Sequence, residues 1–168
     1  RLEFAAPVEN SFREEYEASS LSSRLILIVL SIVAVALTPL YDLWFLHPPQ
    51  GFVGPSRWLQ FGLQIPALLV ALAGCWAPLR RFAVPFTIFG AFCVTSGLFI
   101  QRIIGAEYGY AVPFNFAMIT IAAVYSLARI RFIVWFPWAL AIVVGACAAE
   151  LITFGASSEP FYNCLSLV

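Results

Sequence analysis

Seven polar side chains capable of chemistry lie within or at the ends of long apolar runs: Asp42, Gln60, Gln64, Gln101, Arg102, Asn115 and Glu150. A carboxylate or guanidinium surrounded by hydrocarbon costs a few kcal/mol, so such groups are expected to face protein or water and to mark binding or relay sites. Gln60 and Gln64 stand four apart, which puts them on one face of a helix. Asp42, Gln60, Gln64, Arg102, Asn115 and Glu150 form the candidate ligand-binding set. They would either fasten the bundle, Asp42 or Glu150 pairing with Arg102, or line a shallow cavity together with Tyr41, Trp44, Tyr108 and Tyr110. The single histidine, His47, rules out intramolecular bis-His haem ligation. A metal held by His47, Asp42 and Glu107 has no diagnostic spacing behind it. There is no phosphate-cradling Gly-rich loop and no GxSxG. The residues predict no catalytic site, no cofactor and no metal.

The elements that must position these groups are apolar stretches of membrane-spanning length. Spans of about 25–45, 58–76, 82–100, 110–128 and 132–154 are each close to the roughly 20 residues that cross a 30 Å hydrocarbon core. With 62% hydrophobic and 11% charged residues, the chain has too little polar surface to clothe a soluble globule. Zero formal net charge implies no nucleic-acid surface. All nine basic residues are arginine. Arg1, Arg13, Arg24, Arg80, Arg81, Arg129 and Arg131 fall on one side of this layout and only Arg57 and Arg102 on the other, so the positive-inside bias predicts a cytoplasmic N-terminus. In that frame the site candidates lie in the outer half. The inner half offers Ser31, Thr87, Tyr125 and Ser126.

The predicted fold is therefore all-α, a polytopic bundle of five spans over 25–154, embedded in a lipid bilayer. Residues 1–24 read as a cytoplasmic amphipathic lead-in, its helix started by a capping box at Ser11 and Glu14. Ala77 to Arg81 and Arg129 to Arg131 read as tight inner turns, whereas His47 to Pro55 reads as a longer outer loop of helix breakers. Residues 155–168 read as an extracytoplasmic segment. Ala141, Gly145 and Ala149, and separately Gly90, Cys93 and Gly97, form small-residue stripes where another helix can approach closely. Cys75, Cys93 and Cys147 read as small core residues, and no disulfide is predicted.

The lead-in pattern Val8-Glu9-x-x-Phe12-Arg13-Glu14-x-Tyr16, the basic Arg24 at the first span, the Tyr41-Asp42-Leu43-Trp44 end of that span and the Arg-bearing inner turns together resemble a known architecture. It is the N-terminal six-helix membrane domain of bacterial class III adenylate and guanylate cyclases, along with the related membrane-associated sensor domains of GGDEF diguanylate cyclases. The resemblance implies a sensor or anchor in the bacterial inner membrane. It further implies a homodimer, an unidentified small ligand, and a cytoplasmic catalytic domain beyond a sixth span that would follow Val168. The runner-up readings are a small transporter or channel component, or a structural subunit of a larger membrane complex.

Overall fold

The structure is a computed structural model that describes residues 6–110 and 132–154. Every element among them is helical. Helix α1 runs unbroken over Ala6–Tyr41. Pro7 sits in its first turn, where a missing N–H has no intrahelical partner to lose. The lead-in and the first apolar stretch are thus one rod, and helix begins five residues before the capping box expected at Ser11. A π turn, Asp42–Leu46, extends α1. It ends because Pro48 disfavours helical geometry in the residue before it. His47 accordingly adopts φ 47° and ψ 55°, and its N–H closes the turn on the Asp42 carbonyl at 2.8 Å.

The predicted outer loop is largely helix instead. Pro49 is the N-cap of α2, Gln50–Leu59, so only His47 to Pro49 remain non-helical. A second π turn, Gln60–Gln64, leads into α3, Ile65–Gly74. Its cause lies just beyond it. The Pro66 ring would strike the carbonyl four residues back in a regular helix, and the widened turn spans that position, Gly62. A 3₁₀ turn, Ala77–Phe82, reverses the chain into α4, Ala83–Glu107, and α5 covers Phe132–Phe154.

Helix α4 is the hub. It lies antiparallel to α3 in the most extensive contact among the described elements, and also meets α2 and α5, while α1 packs on α3. Ile28, Ala71 and Cys75 close the α1–α3 seam, and Leu27, Ile88, Ala91 and Ile142 form a second buried cluster joining α1, α4 and α5. Small residues set the α3–α4 separation. A Cβ at Gly74 would meet Ala83 Cα at 3.3 Å, and one at Gly90 would meet Ala71 Cβ at 3.1 Å. On α5, by contrast, Ala141 and Gly145 are exposed, and a Cβ at Gly145 would meet nothing within 4 Å. The backbone of Ala149 belongs to α5, but its side chain lies outside the described residues.

Among the described residues, two helical stretches are long and apolar enough to cross a bilayer as single units: Ser19–Leu46, of 28 residues, and Ala77–Glu107, of 31. Five such spans are not supported. The stretch expected over 58–76 is divided by the Gln60–Gln64 π turn, and 111–128 lie outside the described residues, whereas α5 covers the stretch expected over 132–154.

Candidate functional site

The two π turns carry polar residues that Arg57 links at one end of the fold. Asp42 opens the first, and Gln60 and Gln64 bound the second. Such turns occur often at functional sites, because the extra residue rotates the side chains that follow relative to a regular helix. Asp42 Oδ2 accepts an ion-pair contact from Arg57 Nη2 at 3.2 Å. Arg57 Nη1 donates to Gln60 Oε1 at 2.8 Å, and Nη2 also reaches the Pro39 carbonyl at 3.5 Å. One guanidinium therefore ties α1, its π turn and the α2 junction together. That use suits arginine, which presents several donors in a fixed planar fork.

Behind the ion pair, amides hold the hairpin. Gln60 Nε2 lies 3.5 Å from Ser56 Oγ, and Gln101 Nε2 donates to the Ser56 carbonyl at 3.3 Å. At the far end of the π turn, Gln64 Nε2 donates to the Val94 carbonyl at 3.2 Å. The space for Gln64 exists because α4 carries Gly97 opposite it: a Cβ there would collide with Gln64 Nε2 and stand 2.9 Å from its Cγ. Two of these amides therefore add a donor to main-chain carbonyls across the α2–α3/α4 hairpin, and backbone groups can reach them because the facing residues are small.

The group is closed. Asp42, Ser56, Gln60, Gln64 and Gln101 are all buried, and Arg57, at 24% side-chain exposure, is the member that reaches the surface. The described polar residues of this group satisfy one another or main-chain carbonyls. Aromatic rings roof this end: Tyr41 stacks on Phe45 with centroids 5.1 Å apart, and Phe52 lies against Tyr110 at 4.9 Å. Trp44 and Trp58 project outward, 72% and 80% exposed.

Of the candidate set, Asp42, Gln60 and Gln64 come together. The expected pairing was of Asp42 or Glu150 with Arg102; Asp42 pairs with Arg57 instead, and the Glu150 alternative lies outside the described side chains. Gln101 points at α2, and its neighbour Arg102 projects about 100° further round α4, half-buried. Asn115 and the side chain of Glu150 lie outside the described residues. Arg57 and Ser56 were missed because the Pro- and Gly-rich run before them reads as loop. Once 50–59 is helical, the spacing of Ser56, Gln60 and Gln64 marks a single polar stripe, and that spacing was the available signal. Among the described residues no three His, Cys, Asp or Glu side chains are grouped to hold a metal ion.

No protein-family model, no curated protein and no solved structure matches this chain.

Proposed function

We propose that this chain is a multi-pass membrane anchor and sensor domain of the bacterial inner membrane, with its N-terminus cytoplasmic, that dimerises and regulates a cytoplasmic nucleotide-cyclase domain. The supporting observation is the continuity of α1. Helix α1 runs from the lead-in to Tyr41, with Pro39 in its last turn, so a change at the adjacent Asp42–Arg57 pair has a continuous helical path to residue 19, about 35 Å away at 1.5 Å per residue. The apolar exterior supports the lipid setting. Ile26, Leu30, Val33, Leu37 and Leu40 project outward from α1, and only 22% of its most apolar window is buried within the fold. Large apolar surfaces of that extent need a covering medium.

Five crossings remain the proposed arrangement. The 50–74 run lies antiparallel along α4 from near Tyr108 to Ala83, so it traverses the same depth despite its π turn. An occupant of the Arg57 corner would act by binding the open and closed arrangements of this end with different affinity. The transporter reading gains no support from the other end of the fold. The Ser31 and Thr87 hydroxyls there turn back onto the carbonyls of Leu27 and Ala83 in their own helices.

The test uses the full chain in a cysteine-free background with a spin label at Ser19, an exposed position on α1. Reconstituted in vesicles, label at Ser19 and label at Gln50 should be accessible to membrane-impermeant reagents from opposite sides. Arg57→Gln should change the mobility spectrum or the inter-protomer distance reported from residue 19. Access from the same side would refute the topology, and an unchanged spectrum would refute transmission along α1.

A further inference from the structure

A second feature lies at the opposite end of the hairpin from the Asp42 cluster. Val84, Pro85, Ile88, Phe89 and Phe92 of α4 and Trp138 of α5 line an apolar groove of about 280 Å³. Its walls face outward, with Phe89 49% and Trp138 46% exposed, and the Phe92 and Trp138 rings meet edge to face at 6.2 Å. The groove has a direction. From Val84 to Phe92 it follows eight residues of α4, about 12 Å, against about 15 Å for one leaflet of a 30 Å hydrocarbon core.

At its Val84 mouth stands the 3₁₀ turn Ala77–Phe82, which carries two consecutive exposed arginines. Arg81 lies over the Phe82 ring at 4.7 Å, an arrangement that holds the guanidinium beside α4. No acidic side chain among the described residues pairs with Arg80 or Arg81. An apolar slot about 12 Å long, most of one leaflet, opening at two arginines with no acidic partner among the described residues, has the charge and length pattern of a single anionic lipid. Basic pockets at helix junctions on the cytoplasmic face recognise such headgroups.

Resting on the membrane reading above, we propose that the α4–α5 groove is a site for one inner-leaflet anionic phospholipid. One acyl chain lies along Val84 to Phe92 against Trp138, and the phosphate lies at Arg80 and Arg81. Attraction to two arginines near the surface is worth about 1 kcal/mol each, which sets the expected preference over a zwitterionic lipid at several-fold to about thirty-fold.

The experiment reconstitutes the full chain in vesicles of phosphatidylcholine with one-fifth phosphatidylglycerol, bromine being placed on the acyl chains of either lipid in turn. Tryptophan fluorescence is compared between the parent and Trp138→Phe to isolate the Trp138 component. Per mole, brominated phosphatidylglycerol should quench that component at least threefold more strongly than brominated phosphatidylcholine, and the Arg80→Gln/Arg81→Gln double variant should equalise the two. Equal quenching in the parent would overturn the lipid site while leaving the membrane reading intact. A preference that survives the double variant would also overturn it. Absence of quenching by either lipid would overturn both readings. A Phe89→Trp variant in the Trp138→Phe background reports from the other wall and should show the same preference. If it shows none, the groove is not the site.

Discussion

Replacing Gly97 by alanine adds one methyl group at the tightest point of the α3–α4 contact. The new Cβ would collide with Gln64 Nε2 and stand 2.9 Å from Cγ and 3.0 Å from Cδ, so the whole amide arm has to move. Gln64 is 2% exposed and among the most completely buried side chains in the fold, which leaves it no neighbouring space. Displacement breaks its hydrogen bond to the Val94 carbonyl. Interhelical hydrogen bonds of this kind within membranes contribute about 0.6–1.7 kcal/mol, and overpacking a filled contact costs about 1–3 kcal/mol. Gly97→Ala should therefore destabilise by about 2–4 kcal/mol. The gain in helix propensity, at most about 1 kcal/mol, reduces this without reversing it. Gly145→Ala supplies the control: nothing lies within 4 Å of its Cβ, so the propensity gain is unopposed and the variant should match or exceed the parent. Equilibrium unfolding by titration of denaturing into mild detergent, followed by tryptophan fluorescence, measures both. Gln64→Ala removes the obstruction, so in that background Gly97→Ala should cost less than 1 kcal/mol, a coupling of at least 1 kcal/mol. Equal costs of Gly97→Ala with and without Gln64 would refute the packing argument.

Two further substitutions probe the Asp42 end. Arg57→Gln leaves a buried carboxylate without its cation and should destabilise by about 2–4 kcal/mol; Asp42→Asn/Arg57→Gln should recover part of that loss in the same unfolding titration, and a strictly additive double variant would show that the pair contributes nothing. Gly51→Ala also brings a Cβ against a neighbour, 3.0 Å from Tyr108 Cδ1, but Tyr108 is 46% exposed and can swing aside. Its cost should stay below about 1 kcal/mol, and a loss as large as that of Gly97→Ala would mean that exposure of the neighbour is not what decides tolerance.

Position along a helix is a one-dimensional property, and the sequence alone carries it. The apolar runs, the helical class, the common level of Asp42, Gln60 and Gln64, and the small residues Gly90 and Gly97 were all legible from composition and spacing. Facing is different, because it depends on rotation about each helix axis and on the register between helices. Those are settled only when side chains interlock: Gly97 opens the space that Gln64 fills, and Gly90 seats against Ala71. The small residues at 141 and 145 carry the same local signal as Gly90 and Gly97 yet are exposed, because no described helix approaches that face. The Asp42 partner was hidden for a related reason. Pro48, Pro49 and Pro55 read locally as a loop, but Pro49 caps a helix and Pro55 is carried within it, which turns Arg57 back toward Asp42. Local propensity proposed the break; tertiary contact with α4 and the end of α1 decided where the charge went, since a buried carboxylate is stable there only beside its cation.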